Sequence, residues 1–367
     1  MRFSTRSRVI VSAVTIVAIL CAFILSGLFF RGNATYAASS SADVSPSHIT
    51  KGVISPFETI DPTKVPTAQG QQSSQSLHKG TRSVYAKGGA THGPATASMP
   101  FDEGQPGQLL QNFNGVSSRD SAVTNFGAEF EPPDQGLCEG NGFILEPVNS
   151  AYTFYRTDGS VVAGPFNVNV LFGEGLKQFT SDPRCYYDKT TNRWFAIILY
   201  INFNNPSART DISVSSSGDP TKPWTVYHLN ATDDGTNGMP SDPGCPCLGD
   251  QPLFGIDSQN FYISTNEFSI LGTQFNGAHI YALSKSQLLA SSKVNYVHFF
   301  DLTTAGLPAV SVQPAVTNDS APAEYFLNAF NNSSLTASNQ LGVWAMTNRD
   351  AVGKGEIPTL SHVVITS

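Results

Sequence analysis

Hydrophobic and polar positions divide the chain into three unlike stretches. Residues 9–30 carry no charge and are mostly apolar, with Arg2, Arg6 and Arg8 before the run and Arg31 after it. A run of this length suffices for a membrane-spanning helix, which needs about 20 residues. Thr35-Tyr36-Ala37 ahead of Ala38 also offers the small-residue pattern of a signal cleavage site. Under either reading the arginine bias keeps the N-terminus inside and the body outside. Residues 1–38 are therefore expected to be a signal peptide or a single-span membrane anchor, with the cell membrane as partner through residues 9–30 if uncleaved. Residues 39–100 are rich in Ser, Thr, Gln, Gly and Pro, include the wholly polar run 69–76, and sustain no apolar period. Such a stretch buries too little surface to offset its ordering entropy, so a disordered linker is expected.

The third stretch, 101–367, is expected to be the folded domain. From about residue 130 it alternates short apolar runs with turn residues and shows hardly any helical period. Runs at 143–149 and 152–156 precede Asp158-Gly159, a strong type I′ hairpin signal, and then 161–168. A second group falls at 185–187, 194–203, 211–216 and 224–229. A third falls at 253–256, 261–268, 279–283 and 296–302, followed by one helical turn at 286–290. A fourth falls at 314–317, 325–330, 341–347 and 362–366. Each group opens on a related phrase: Asp134-Gln135-Gly136, Asp182-Pro183-Arg184, Asp250-Gln251-Pro252 and Val312-Gln313-Pro314, spaced 48, 68 and 62 residues apart. Four strands per unit at such a period predict an all-β fold of propeller blades. A β-sandwich of many short strands is the alternative. Four units make either a small ring or an incomplete one, and the incomplete ring is favoured. Phe113, Val116, Val123 and Phe126 offer anchors for a closing strand within 101–130.

Composition sharpens this picture. Charged residues make up 13% of the chain against a usual share of about 25%, which argues against long solvated helices. With 24 Phe and 12 Tyr there is ample apolar surface to bury. Residues 1–38 hold four of the 21 basic residues and none of the 28 acidic ones, so the remainder carries a formal net charge of −11. That excludes nucleic acid as a partner, since no basic stripe offsets the acidity.

Several phrases carry a resemblance. Ser181-Asp-Pro-Arg-Cys-Tyr-Tyr-Asp188, Asn192-Arg-Trp-Phe195, Ser217-Gly-Asp-Pro-Thr221 with Trp224, and Asp250-Gln-Pro with Tyr262-Ile-Ser-Thr-Asn266 resemble blade phrases of secreted bacterial β-propeller proteins. That group is broadly similar to the sialidase-like (BNR or Asp-box) propellers. The resemblance covers about 130–367 and speaks to architecture; the strict Asp-box is absent, because Asp188-Lys-Thr-Thr-Asn-Arg-Trp194 lacks its glycine.

Candidate chemistry is sparse. Cys21 lies in the apolar run, leaving Cys138, Cys185, Cys245 and Cys247 in the exported body. An even count in an oxidising compartment predicts two disulfides. Cys138 and Cys185 open successive units and are expected to join adjacent blades, with Cys245–Cys247 as a local bridge. A four-Cys zinc site lacks the usual knuckle spacing. Asp134, Asp182 and Asp250 open first strands, which line a propeller's channel, so they are candidates for an acidic ring holding a cation or polar ligand; the competing role is turn capping. Asp233-Asp234-Gly235-Thr236-Asn237 lacks the ligand spacing of a calcium loop and reads as an exposed turn. His228, His279, His298 and His362 fall on predicted strands and read as structural. Glu146, Glu174, Glu267 and Glu324 supply carboxylates, but no spacing selects a glycosidase pair. No catalytic or cofactor motif occurs, and no cofactor is expected. These features favour an extracytoplasmic binding module for a glycan, peptide or protein, recognised at loops 202–209, 232–249 and 331–339. The alternative is a secreted sialidase-like glycoside hydrolase.

Overall fold

A computed structural model describes residues 42–64, 111–330 and 339–366. The signal or anchor segment and most of the expected linker lie outside the described residues. Among the described residues no helix is long and apolar enough to cross a membrane.

The chain is all-β, with four up-and-down antiparallel sheets in sequence order. Blade I comprises Cys138–Gly140, Phe143–Val148, Ala151–Arg156 and Val161–Phe166; blade II comprises Phe179–Asp188, Arg193–Asn202, Ser207–Ser215 and Trp224–Asn230. Blade III comprises Cys247–Ile256, Asn260–Ser269, Phe275–Ser284 and Val294–Thr304, whose end folds back on Leu307–Pro308. Blade IV comprises Gln313–Pro314, Glu324–Ala329, Gln340–Thr347 and Thr359–Thr366. The predicted strands and the helical turn (Lys285–Leu289) are found where the apolar runs placed them. Asp158-Gly159 turns a hairpin, but not of the expected type I′, which needs a positive φ at both residues: only Gly159 takes one (+87°), and Asp158 Oδ1 accepts from the Ser160 amide and hydroxyl.

Blades stack face to face, so the middle strands of blades II and III are covered on both sides, whereas those of blade IV alternate buried and exposed residues and leave Tyr325, Leu327 and Leu341 on an uncovered face. Alternation then deals successive residues to different interfaces. Trp194, Ala196 and Ile198 pack toward blade I with Leu145, Phe154 and Trp224, whereas Phe195 and Ile197 pack toward blade III. Phe261 and Ile263 meet them, the Phe195 and Phe261 rings stacking at 5.2 Å. Between them Tyr262 points to blade IV, edge-on to Phe326. Each large side chain so buried is worth about 1.5–3 kcal/mol, more than the roughly 1 kcal/mol of a typical hydrogen bond. Packing therefore holds the stack, and polar links set its register.

Those links run along the array. The Cys138–Cys185 disulfide, with a Cα separation of 5.7 Å, ties blade I to blade II. Asp188 pairs with Lys285 Nζ at 2.5 Å, joining II to III, and the same ammonium donates to the Asp257 carbonyl. Asp257 in turn takes the Arg349 guanidinium, joining III to IV. The Trp indoles are satisfied too: Trp194 and Trp224 donate to the Gly218 and Pro220 carbonyls, and Trp344 to Asn328 Oδ1. The Ser217–Thr221 phrase is thus a turn that caps two tryptophans.

Two expectations change. Residues 42–64, assigned to the linker, form a strap that adds an outermost strand to three blades in reverse order. Ala42–Asp43 pairs with the last strand of blade IV, Ile49–Ile54 with that of III and Pro56–Ile60 with that of II. Tyr152 of blade I then donates to the Pro62 carbonyl. Of these residues only Ile54 and Pro62 are buried, so the strap contributes backbone hydrogen bonds rather than a hydrophobic face, and no apolar period marks it. The closing strand expected within 101–130 is instead partly the helix Ser118–Thr124, started by a Ser117/Asp120 capping box; residues 101–110 lie outside the described residues. Thr359–Thr366 pairs with the strap and with Gln340–Thr347.

The Asp188–Lys285 pair makes a direct test of the polar links. Lys285→Met strands a buried carboxylate and is expected to destabilise the fold by about 3–5 kcal/mol, read as a lower denaturant midpoint. Adding Asp188→Asn should recover most of that loss.

Candidate functional site

The three aspartates chosen from the opening phrases do not occupy equivalent positions. Asp182 is buried with a φ of +60°, in a bulge where pairing breaks between Ser181 and Arg184. Its amide donates to Asn149 Oδ1 at 2.8 Å, and its Oδ2 accepts from the Gln251 amide of blade III at 3.3 Å. Asn149 Nδ2 donates to Asp134 Oδ2 at 2.8 Å, so one asparagine brings Asp134 and Asp182 together. Asp250 instead lies in register opposite Asn266, and the bulge position with positive φ in blade III is Gln251 (+47°). The similar phrases are offset by one residue there. Asn266 repeats the device of Asn149, accepting from the Ser311 amide (φ +48°) beside blade IV. Aspartate and asparagine tolerate the left-handed region better than most residues, and here their polar ends link neighbouring blades along the inner strands. Both expected disulfides are present, Cys138–Cys185 and Cys245–Cys247.

A cleft of about 250 Å³ opens where residues 125–130, after the short helix, meet the connection from blade I to blade II. Phe126 stands at its edge, 43% exposed and with a φ of +56°. Lys177 lies with its ammonium 5.9 Å from the Phe126 ring centroid. Glu129, Gln178 and Phe179 also line the cleft. Asn169 stiffens this wall: its Nδ2 donates to the Gly175 and Gln178 carbonyls and its Oδ1 accepts from Thr180. Sequence reading missed the cleft because it took Phe126 for an apolar anchor of a closing strand. Of the loops expected to recognise a ligand, 202–209 is a hairpin capped by Asn202, 232–246 folds over blade III, and 331–338 lies outside the described residues.

The four glutamates are dispersed. Glu146 accepts from the Val116 amide and from Gln135 beside blade I, while Glu174 lies against Arg209 and His228 on blade II. Glu324 is buried in blade IV, held by the Thr317 hydroxyl at 3.2 Å. Burial, reinforced by the Asp257 charge, pushes its carboxyl up to about 8. Two clusters of carboxylate and imidazole arise. On blade II, Glu174 and Asp211 share Arg209, whose Nε lies 2.7 Å from Asp211 Oδ1, with His228 beside them; Phe57 of the strap stacks on His228. Inside blade III, Asp233, Asp242 and Glu267 gather about His279 and His298, and no Lys or Arg pairs with them among the described residues. Burial raises the Asp233 and Glu267 carboxyls, raises Asp242 to about 7, and drives the His298 imidazole well below its ordinary value. The exposed turn expected at 233–237 is therefore wrong for Asp233, which is fully buried, and right for Asp234.

No protein-family model and no curated protein matches the chain. Solved structures give distant likenesses: the exo-β-1,3-galactanase candidate from Bifidobacterium bifidum s17 (10% identity, 66% of this chain and 90% of that one, TM-score 0.34); the exo-β-1,3-galactanase 1,3Gal43A from Clostridium thermocellum (11%, 62% and 48%, 0.34); and the arabinanase Arb43A from Bacillus subtilis (9%, 62% and 92%, 0.30). Likeness at this level carries no argument about activity. The class is set by strand order: a β-propeller-like array of four described blades, disulfide-linked and edged by its own N-terminal strap.

Glu324 yields a pH prediction. Its folded value lies above its unfolded one, so the folded chain holds the extra proton and stability falls as pH rises from about 4.5 toward 8. Denaturant titrations across that range should show Glu324→Gln flattening the decline and gaining most over wild type near pH 8.

Proposed function

We propose that the chain is an extracytoplasmic propeller that binds carbohydrate in the cleft beside Phe126 without cleaving it. The observation that carries this reading is Phe126 itself, a large aromatic held outward by a positive-φ backbone on the edge of a polar cleft. Strained, exposed backbone persists only where its surroundings over-determine it and concentrates at ligand sites. A sugar ring has an apolar C–H face and a rim of hydroxyls; an aromatic edge with Lys177, Glu129 and amide groups around it answers both. The apolar run 9–30 behind arginines, and two disulfides, support a place outside the cytoplasm. That run would keep the cell membrane as a partner if uncleaved.

Binding is favoured over hydrolysis because glycosidases flank the scissile bond with two carboxyl groups, and the described cleft lining offers Glu129 alone. The phrase resembling an Asp-box serves the turn it sits in: Asp188 Oδ1 accepts from the Thr190 amide and hydroxyl, and Oδ2 accepts from Thr191 and Lys285.

A panel of monosaccharides and oligosaccharides assayed by calorimetry, with product analysis in parallel, tests the proposal. Saturable binding without product is expected, and Phe126→Ala should weaken it at least tenfold, about 1.4 kcal/mol. Affinity unchanged in Phe126→Ala overturns the cleft assignment, and release of a trimmed product overturns the non-hydrolytic reading.

A further inference from the structure

The blade III cluster gathers three buried carboxyl groups about two imidazoles, with no Lys or Arg pairing with them among the described residues. Asp233, Glu267, His279 and His298 are all 0% exposed, and Asp242 is 7% exposed. Three strands and one loop deliver them. Glu267 lies on Asn260–Ser269, His279 on Phe275–Ser284 and His298 on Val294–Thr304. The ladder between the last two strands breaks at Ala278/Ile280, so His279 sits in a bulge, a device that re-aims side chains. Asp233 and Asp242 come from the connection between blades II and III. That connection is closed on itself by Asp242 N–H to the Asp233 carbonyl at 3.0 Å and Cys247 N–H to the Thr232 carbonyl at 2.8 Å, and by the Cys245–Cys247 disulfide.

Three lone-pair donors, from Asp233, His279 and His298, converge, with Glu267 beside His279. From His279 Nδ1 it is 3.0 Å to His298 Nε2, 3.3 Å to Asp233 Oδ2 and 3.8 Å to Glu267 Oε2. Ligands about 2.0–2.2 Å from a tetrahedral ion stand roughly 3.3–3.6 Å apart, and the three separations bracket that spacing. Hydrogen bonding within the group does not satisfy it: Asp233 Oδ1, both Glu267 oxygens and His298 Nδ1 are buried without a hydrogen-bond partner. An uncompensated buried carboxylate is costly. This cost recurs at two side chains sealed together, with no Lys or Arg beside them. Arg209 shows what the same fold does on blade II, where a protein cation pairs with such a group.

We propose that Asp233, His279 and His298 bind one divalent ion of the zinc type, with Glu267 Oε2, 3.8 Å from His279 Nδ1, beside the remaining position. Two imidazoles with a carboxylate suit zinc, whereas calcium seeks six to eight oxygens. The surroundings match those of a metal-bound histidine. Asp242 Oδ2 lies 3.6 Å from His279 Nε2, on the ring edge away from the ion, where ligating histidines commonly meet a carboxylate. The Tyr281 ring stacks on His298 at 4.0 Å and 13°, fixing its plane. In a site this sealed the ion is structural: it pins the connection between blades II and III to the end of blade III. The proposal is independent of the carbohydrate cleft, which lies against blades I and II.

The test uses the full chain carrying Cys21→Ser, so that no free thiol competes. Metal-stripped protein is titrated with zinc and, separately, with cobalt. About one ion per chain is expected, with the intense visible absorption of tetrahedral cobalt and a thermal midpoint that zinc raises and chelator lowers. His298→Ala and Asp233→Asn should abolish uptake; His228→Ala, in the blade II cluster, should leave it intact. Folded Cys21→Ser protein that takes up neither ion overturns the proposal, as does binding that disappears in His228→Ala. A response to calcium alone overturns the assignment of ion and ligands. Because the readouts on the Cys21→Ser chain do not depend on any ligand variant folding, the outcome stands even if one variant is lost.

Discussion

Stacking sheets face to face buries the space between blades, and that constraint governs the molecule. A charge placed there cannot reach water and must find its partner inside. Asp188 finds Lys285, Asp257 finds Arg349, and Glu174 with Asp211 finds Arg209. The first two of these pairs cross between blades, so the need to neutralise a charge doubles as the register of the array. Blade III departs from the rule. Asp233, Asp242 and Glu267 of its inner cluster face imidazoles instead of a lysine or arginine, and the proposed ion balances them.

Sheets stacked by their faces still expose their outer edges, where unpaired N–H and C=O groups invite other strands. Residues 42–64 answer this by running along the outer strands of blades IV, III and II before reaching Tyr152 of blade I. The strap touches all four blades, and its Phe57 covers His228 of the blade II cluster. It is an integral part of the fold although its composition is that of a spacer.

Much of the fold was legible in the sequence, and what escaped has a common cause. Strand positions followed from apolar runs such as 194–203, and the disulfide pairing followed from Cys138 and Cys185 opening successive units. The strap escaped because it is held by its backbone, which leaves no side-chain period to read. The aspartate positions were half legible: Asp134 and Asp182 do meet through Asn149, but a bulge shifts the equivalent position in blade III to Gln251. The blade III centre was not legible as a centre. His279 and His298 lie 19 residues apart on neighbouring strands, and Asp233 sits in a run that reads as a turn. Only the bulge at His279 and the fold-over of 232–246 bring them together, and neither leaves a short motif. Phe126 carried no signal of the cleft for the same reason, since its exposure is set by where the short helix ends.

X-ray absorption at the zinc edge of the loaded protein examines the central claim most directly. The account predicts a first shell of four nitrogen and oxygen neighbours at about 2.0–2.1 Å, with the outer-shell scattering of two imidazole rings, both rings lost in the His279→Ala, His298→Ala double variant. A sulfur neighbour at about 2.3 Å, or a six-coordinate oxygen shell without imidazole, would contradict it.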